Sequence, residues 1–371
     1  MQESATSKIN MPRLEIWKEA KRERRPLSFS LEFTTRCNNN CRHCYNGLAA
    51  DDKSAIEKEL PLEKIKNIVD EAVSLGVLWC LITGGEPLLR RDFLEVYLYL
   101  KRKGLLVSVF TNANLITKRH VNIFKRYPPR DIEVTVYGVT KETYEKITRV
   151  SGSFNAFMNG VKLLLDNGIK VRFKAMALRS NLHEFSQIAR FCRKYTKDYF
   201  RFDPFLHLRF DMDSSRNAQI KSERLLPEEV LSLERSDHKR FKVMKRVSDK
   251  ARRGQYLRTG CNHLFRCGAG NNNFYVSYDG DFRLCSSLCH PDCVYSLRTG
   301  NLSYAWLNFT PRVKDMRSNR DEFLDRCRGC RLIKFCFWCP ARAYLETGEL
   351  DAPVDYYCEI AHARAHSFNF I

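Results

Sequence analysis

Short apolar runs alternate with amphipathic segments over the first two hundred residues of the chain. Six runs have the length and the apolar or alternating character of strands, at 27–33, 77–83, 105–110, 131–137, 170–178 and 199–203. Between them lie segments in which apolar residues recur with helical period, as Ile65, Ile68, Val69 and Ala72 do. Strands that alternate with helices form parallel sheets. The pattern therefore predicts an α/β fold over 27–203.

The rest of the chain has a different pattern. Residues 1–26 form a polar lead-in, and 204–258 form a charged, helix-prone linker. From 259 to 371 the chain is rich in Cys, Asn and aromatic residues, and Asp279-Gly280 lies between two alternating runs, which predicts a β-hairpin. This segment is poor in aliphatic residues, and small domains of that kind are commonly stabilised by metal. We therefore expect a second, small domain at 259–371.

Composition narrows the class of protein. The first 26 residues are too charged for a signal peptide, and no apolar run approaches the length of a membrane span, so we expect a soluble, cytoplasmic protein with no membrane partner. In that compartment, 15 cysteines indicate metal ligation rather than disulfides. The net charge is +20, and the basic stretch 239–258 is either a solvated helix face or a surface for an acidic partner. A nucleic-acid partner lacks any accompanying motif.

Three cysteines follow the first predicted strand. Residues 34–45 read TTRCNNNCRHCY, which spaces Cys37, Cys41 and Cys44 as CxxxCxxC. A four-iron cluster needs four ligands, so three cysteines leave one iron open for chemistry. The alternative is a structural zinc knuckle that is completed by a fourth Cys or by His43.

A second motif follows the second predicted strand. Residues 82–87 read ITGGEP, in which Gly84 and Gly85 allow the backbone to approach a ligand, and the carboxylate of Glu86 can accept hydrogen bonds from an ammonium group. Other uncommon residues stand at the ends of later strands, including Asn112 and Tyr137. In barrels of alternating strands and helices, the loops after the strands build the active site.

The two motifs together resemble the radical S-adenosylmethionine (radical SAM) superfamily. The resemblance implies a partial (β/α)6 barrel of the TIM type, with a [4Fe-4S] cluster on Cys37, Cys41 and Cys44 that binds S-adenosylmethionine at its open iron. It also implies that Gly84, Gly85 and Glu86 hold the methionine amine of the cofactor. The expected cofactor-binding residues are Gly84, Gly85, Glu86, Thr135, Tyr45 and Lys174.

The assignments on the later strands carry open alternatives. Thr135 corresponds to a family position that contacts the ribose, or it is an ordinary strand residue. Arg172 and Lys174 share one face of the fifth predicted strand, which would attract a carboxylate if it faces the lumen and would be solvated if it faces outward. Asp203 ends the sixth predicted strand and is a candidate catalytic acid or base.

A second array of eight cysteines lies in the C-terminal domain. Its central run, CRGCRLIKFCFWC, spans 327–339. Eight thiolates can hold two four-iron clusters or two zinc ions. Their order resembles the SPASM domain, which implies one auxiliary cluster on Cys261, Cys267, Cys285 and Cys339, and a second on Cys327, Cys330, Cys336 and Cys358. Only Phe337 and Trp338 separate the last two cysteines of the run, whereas the family usually has three residues there.

Four further cysteines fall outside these sets. We expect Cys80 and Cys192 to be buried as small apolar residues. Cys289 and Cys293 are predicted to be loop thiols, with an alternative ligand set as the other possibility.

The resemblance implies an oxidoreductase that forms a 5'-deoxyadenosyl radical and abstracts hydrogen from its substrate. Its cofactors would be three [4Fe-4S] clusters and S-adenosylmethionine, with electrons from a flavodoxin or ferredoxin. We expect oxidative modification of a peptide or protein. Sulfatase maturases of this family have Asp where this chain has Ser286, which disfavours formylglycine formation. Few residues precede the first strand, so leader recognition would need a separate protein.

Two other functions stay open at this point. One is radical SAM oxidation or decarboxylation of a tetrapyrrole or another small molecule. The other belongs to a different class, a non-catalytic zinc protein that binds nucleic acid, which would show salt-sensitive binding and no iron.

Overall fold

The computed structural model describes residues 15–196, 200–252 and 261–369. The strands are β1 (Ser28–Glu32), β2 (Arg36–Cys37), β3 (Leu48–Ala49), β4 (Trp79–Thr83), β5 (Leu106–Thr111), β6 (Asp131–Val136), β7 (Val171–Met176), β8 (Arg201–Asp203), β9 (Asn273–Val276), β10 (Asp281–Arg283) and β11 (Tyr295–Ser296). The helices are α1 (Glu15–Arg22), α2 (Lys53–Lys58), α3 (Leu62–Ser74), α4 (Phe93–Arg102), α5 (Lys118–Arg126), α6 (Lys141–Thr148), α7 (Ser153–Asp166), α8 (Phe185–Tyr195), α9 (Ser214–Ser222), α10 (Pro227–Ser236), α11 (His238–Arg252), α12 (Leu302–Tyr304), α13 (Thr310–Lys314), α14 (Asp321–Phe323), α15 (Pro340–Thr347) and α16 (Asp355–Ser367).

The parallel sheet predicted from the sequence is confirmed. Strands β1, β4, β5, β6, β7 and β8 lie side by side in chain order, and each pair is parallel. The sixth predicted strand, 199–203, begins at Tyr199, which lies outside the described residues. Sequential parallel order with helical crossovers is the arrangement of a partial (β/α)6 barrel.

The helices cover the outer face of this sheet because their apolar stripes face it. In α3 the residues with helical spacing, Ile65, Ile68, Val69 and Ala72, are all buried. Along β7 burial alternates, with Val171, Phe173 and Ala175 in the core and the intervening residues on the opposite face. The opposite face of the sheet is therefore left for the lumen, where a site can form.

The C-terminal segment extends the same sheet. The predicted hairpin is present, with β9 and β10 antiparallel and Gly280 at a φ of +95° in the turn between them. Strand β9 pairs in parallel with β1, so the sheet runs in the order β11-β10-β9-β1-β4-β5-β6-β7-β8. The cysteine-rich segment is thus joined to the barrel along its first strand.

The segment from 204 to 252 contains three helices, and residues 253–258 of the predicted linker lie outside the described residues. Helix α10 packs on α16 through a buried ion pair, in which the Arg364 guanidinium lies 2.6 Å from Oε1 of Glu234. Because both side chains are almost fully buried, this pair fixes the segment to the C-terminal helix. Within the described ranges, no helix is long and apolar enough to span a bilayer.

Candidate active site at the carboxyl ends of the strands

The cysteine loop is anchored where it leaves β1. Arg36 donates from Nε to Oε1 of Glu59 at 2.8 Å, and both side chains are about nine-tenths buried. Further along, the Gly47 amide donates to Sγ of Cys44 at 3.1 Å, and the Asn39 amide donates to Sγ of Cys37 at 3.4 Å. Amide hydrogen bonds to sulfur are among the contacts that tune iron–sulfur clusters.

The two glycines of the second motif allow their loop to dock on the cysteine loop. The Gly85 amide donates to the Thr34 carbonyl at 2.7 Å, and the Glu86 amide donates to the Arg36 carbonyl at 2.8 Å. A Cβ at Gly84 would lie 2.2 Å from the Thr34 oxygen, and the φ of Gly84 is +150°, which favours glycine. The motifs therefore form one structural unit, in which the glycines permit contact between two loops.

The Glu86 side chain is fully buried beside this contact. Its oxygens accept hydrogen bonds from the Thr111 hydroxyl at 2.8 and 3.0 Å, from the Asn112 amide at 2.7 Å and from the Leu88 amide at 3.1 Å. Desolvation raises the pKa of Glu86 to about 7. In this structure the carboxylate ties the second motif to the end of β5. Its predicted contact with a cofactor amine stays a prediction.

The residues predicted for the site converge on one cavity of about 300 Å³. Of the predicted cluster ligands, cofactor-binding residues and catalytic residues, those that line it are Cys37, Cys41, Cys44, Tyr45, Gly84, Gly85, Thr135, Lys174 and Asp203. They come from the ends of five strands that are distant along the chain, which is the placement expected of a barrel active site.

The open question about the fifth predicted strand is resolved by this cavity. Lys174 faces the lumen, where its ammonium lies 3.2 Å from Oε2 of Glu133 and 3.5 Å from the ring centre of Phe110. Burial lowers the pKa of Lys174 to about 8. Arg172, two residues earlier on the same face of β7, forms an ion pair with Asp131 instead, with 3.1 Å between Nη1 and Oδ2. Lys174 is the member of the pair that reaches the site.

The three thiols are placed as ligands of a cationic group would be. Burial, followed by the charges of Glu86 and Cys44, raises the pKa of Cys37 to about 12, and burial raises the pKa of Cys41 well above its usual value. Cys37 and Cys41 therefore resist ionisation, and a bound metal would stabilise them as thiolates by compensating their charge. The donor set and the cavity thus fit an iron–sulfur cluster.

Other lining residues were not predicted to be cofactor-binding or catalytic residues. Phe205 and His207 enter from the segment that was predicted to be a linker, and Ser286 and Ser287 enter from the C-terminal domain. The ring of His207 lies 5.9 Å from that of Tyr45, and burial lowers the pKa of His207 to about 3, so it is neutral at physiological pH. Ser286 was named in the sequence for its position directly after Cys285, where sulfatase maturases have Asp.

A comparison with protein families agrees with this geometry. Residues 31–192, which contain both motifs and strands β4 to β7, match the model described as the Radical SAM superfamily. Residues 31–192 of this chain form a radical SAM domain. The non-catalytic zinc-protein alternative is therefore not retained.

Relatives of the enzyme cover most of its length. An AdoMet-dependent heme synthase from Methanosarcina barkeri is 24% identical over 87% of this chain and 94% of the relative. The subtilosin biosynthesis protein AlbA from Bacillus subtilis is 26% identical over 83% of this chain and 67% of the relative.

Solved structures share the fold. Streptococcus suis SuiB bound to its precursor peptide SuiA has a TM-score of 0.66 at 16% identity, with 92% of this chain and 78% of SuiB covered. The native anSMEcpe with bound AdoMet has a TM-score of 0.64 at 15% identity, with 93% of this chain and 97% of the other covered. The fold likeness thus includes the cysteine-rich C-terminal region of this chain.

One predicted set of C-terminal cysteines shares a cavity. Cys327, Cys330, Cys336 and Cys358 all line a cavity of about 40 Å³ between the 327–339 run and the start of α16. The Trp338 amide donates to Sγ of Cys336 at 3.4 Å. The four thiols are therefore arranged around one volume.

The other predicted set is brought together in part. Burial, followed by the charges of Cys339 and Cys267, raises the pKa of Cys285 to about 11, which reflects the closeness of these three thiols. Cys261 instead lies 3.1 Å from Nδ1 of His263, and hydrogen bonds from Arg266 and His263 lower its pKa to about 6. The residues just before Cys261 lie outside the described part of the chain.

The remaining cysteines are largely packed as expected. Cys80 and Cys192 are buried in the main core. Cys293 is also buried, with its Sγ 3.6 Å from Sδ of Met316, so it is a packed thiol rather than a loop thiol. Cys289 is half-buried beside a small apolar cluster around Leu206 and Leu345.

Proposed function

We propose that the enzyme holds a [4Fe-4S] cluster on Cys37, Cys41 and Cys44 and binds S-adenosylmethionine beside it. The observation that supports this most strongly is the single cavity that contains all three thiols together with Gly84 and Gly85. When bound, the cluster and S-adenosylmethionine supply a 5'-deoxyadenosyl radical, which abstracts a hydrogen atom from the substrate.

The protein side of this chemistry is binding and placement. Gly84 and Gly85 expose backbone to the cavity, where it can hydrogen-bond the amine of the cofactor. Lys174 offers the cavity a cation for a carboxylate, and Thr135 offers a hydroxyl beside it, since the two are register partners on β6 and β7. Tyr45 contributes an aromatic wall with Phe210, at 5.0 Å between ring centres.

Asp203 is the candidate acid or base on the substrate side of the cavity. Its Oδ1 accepts a hydrogen bond from the Phe205 amide at 2.9 Å, which fixes the carboxylate at the end of β8. Asp203 also lines the cavity. An Asp203→Asn variant that keeps its iron and binds S-adenosylmethionine but does not turn over would support this role.

We further propose two auxiliary [4Fe-4S] clusters, one on Cys327, Cys330, Cys336 and Cys358 and one that includes Cys267, Cys285 and Cys339, with Cys261 as the predicted fourth ligand. The shared cavity supports the first set. Fully ligated clusters have no open iron, so their task is electron transfer. A flavodoxin or ferredoxin would exchange electrons with the enzyme.

The proposed substrate is a peptide, which the enzyme modifies oxidatively. SuiB in complex with its precursor peptide SuiA and the bacteriocin biosynthesis protein AlbA support this class. Ser286 lines the cavity at the place where the resemblance puts the Asp of sulfatase maturases, so the oxidation is not expected to yield formylglycine. A separate leader-binding protein would present the peptide.

A tetrapyrrole is the second candidate substrate. It is favoured by the similarity to two AdoMet-dependent heme synthases. The aligned region covers 94% of the relative from M. barkeri and 88% of the relative from Nitratidesulfovibrio vulgaris. Lys174 is a suitable partner for a propionate carboxylate, as it is for a peptide carboxylate.

The decisive experiment is product analysis of anaerobically prepared enzyme with dithionite and S-adenosylmethionine. Reductant-dependent 5'-deoxyadenosine in the wild type, and none in Cys41→Ala, would support the proposal. Absence of the nucleoside from iron-loaded wild type would refute it. Added tetrapyrrole or candidate peptides then separate the two substrate classes, because the correct one increases nucleoside formation and changes mass.

A further inference from the structure

One strongly basic surface takes no part in the cavity. Helix α11 presents exposed cations at Lys242, Lys245, Arg246 and Lys250, and none of these forms an ion pair with another residue in the described part of the chain. Most exposed charges on a protein surface are interspersed with charges of the opposite sign. In this helix Asp249 is the single acidic residue. The surface therefore carries a concentrated positive field.

The packing of α11 sets this surface beside the cavity that contains four cysteines. Met244 and Val247 on its inner face pack against Leu332 and Phe335 of the 327–339 run, in the same small cluster as Cys330. Phe241, one turn earlier, stacks on Phe368 with 5.1 Å between ring centres. Since residues 241, 244 and 247 point inward by helical period, the lysines and the arginine between them face solvent.

The cysteine run itself reaches the surface at this place. Gly329, Arg331 and Lys334 are exposed, and Cys330 is half-buried between them. Val243 on α11 is 55% exposed and adds an apolar contact within the basic field. Transient complexes of electron-transfer proteins use small interfaces of this kind, where charge guides encounter and a short path connects the redox groups.

We propose that α11 and the exposed part of the 327–339 run form the docking surface for an acidic one-electron carrier protein. The inference rests on the proposed auxiliary cluster on Cys327, Cys330, Cys336 and Cys358. These cysteines would hold the iron–sulfur group that supplies one electron to the oxidised carrier, and no covalent bond would form or break. The electron removed from the substrate thereby leaves the enzyme at this surface.

The test uses the full-length iron-loaded enzyme and a flavodoxin, which is an acidic carrier, as the probe. The variant is Lys242→Glu/Lys245→Glu/Arg246→Glu. The matched control is Lys118→Glu/Arg119→Glu/Lys125→Glu, which reverses three equally exposed cations on α5 and changes net charge by the same amount. Anaerobic binding is measured at about 50 and about 300 mM salt, because screening weakens surface electrostatics. Thermal unfolding verifies that both variants are folded.

We expect the α11 variant to bind flavodoxin at least about 10-fold more weakly at the lower salt, and the control to stay within about 2-fold of wild type. Equal weakening in both variants would overturn the inference, because it would mean attraction to net charge alone. Unchanged binding in the α11 variant would also overturn it. Loss of binding to a single-stranded oligonucleotide or an acidic peptide, with flavodoxin binding intact, would assign the surface to a different partner.

Failure of this inference is distinguishable from failure of the proposed function. Dithionite reduces the enzyme without a carrier, so 5'-deoxyadenosine formation with dithionite should be equal in wild type and in the α11 variant. If wild type forms the nucleoside but the α11 variant binds flavodoxin normally, only the docking surface is wrong. If wild type forms none, the proposed function is wrong.

Discussion

Gly84→Ala probes the contact between the two motif loops. The new Cβ would lie 2.2 Å from the Thr34 carbonyl oxygen, and the φ of +150° strains any residue other than glycine. Backbone strain of this kind costs about 1–3 kcal/mol. Separation of the loops would also lose the hydrogen bonds from Gly85 to Thr34, 2.7 Å, and from Glu86 to Arg36, 2.8 Å, at about 1 kcal/mol each.

The sum is about 3–5 kcal/mol, a large share of the roughly 5–15 kcal/mol that holds a typical domain folded. Gly104→Ala is the matched control, because Gly104 also has a positive φ, +80°, but has nothing within 4 Å of an added Cβ. Its cost should be only about 1–2 kcal/mol. The assay is urea-induced unfolding of the metal-free protein, with iron content measured in parallel after anaerobic reconstitution.

We expect Gly84→Ala to lower the free energy of unfolding by about 2 kcal/mol more than Gly104→Ala, and to lose iron from the Cys37 site. Equal destabilisation by the two substitutions, with iron content unchanged, would refute the reasoning. It would mean that the second motif does not support the cysteine loop.

Three further predictions test separate parts of the structure. Burial lowers the pKa of Lys174 to about 8, so on raising the pH the folded state releases this proton before the unfolded state does. The free energy of unfolding of the wild type, compared with that of Lys174→Met, should therefore rise between pH 8 and about 10.5. Urea unfolding should show a rise of up to about 3 kcal/mol. Arg364→Met removes one of the two ion-pair partners of the buried Glu234 carboxylate and leaves Arg240 at 2.9 Å, so it should cost about 1–3 kcal/mol in urea unfolding. Lys162→Met loses only an exposed pair with Asp166 and should cost less than about 0.5 kcal/mol. Cys330→Ser should lower iron from about twelve to about eight atoms per chain in anaerobic iron analysis, and Cys80→Ala should leave it unchanged.

The strand order and the main cavity were predictable because both depend on local patterns. The spacing of apolar residues along 27–203, and the residues that interrupt it, identify each strand. Sequential parallel order then brings the carboxyl ends of the strands together, so Cys37, Gly85 and Asp203 line one cavity. Cys327, Cys330 and Cys336 of the 327–339 run line one cavity together with Cys358, whereas their role as cluster ligands stays a prediction.

Three features depend on contacts that no local pattern encodes. The pairing of β9 with β1 joins residues more than two hundred positions apart, and a strand sequence does not name its neighbour. The two-residue period of a strand predicted that Arg172 and Lys174 share one face of the sheet. It could not predict that this face is the lumen, because that depends on the direction in which the sheet curls. The hydrogen bonds that Glu86 accepts from the Thr111 hydroxyl and the Asn112 amide come from another strand and were not predicted, and its contact with a cofactor amine stays a prediction.

The central claim is that three thiolates leave one iron open for S-adenosylmethionine. The most direct test is electron paramagnetic resonance of the dithionite-reduced enzyme in which the C-terminal cysteines Cys327, Cys330, Cys285 and Cys339 are replaced by Ala, so that only the cluster on Cys37, Cys41 and Cys44 contributes. Added S-adenosylmethionine should shift the spectrum of that cluster. A reduced cluster with the same spectrum before and after saturating S-adenosylmethionine would contradict the account.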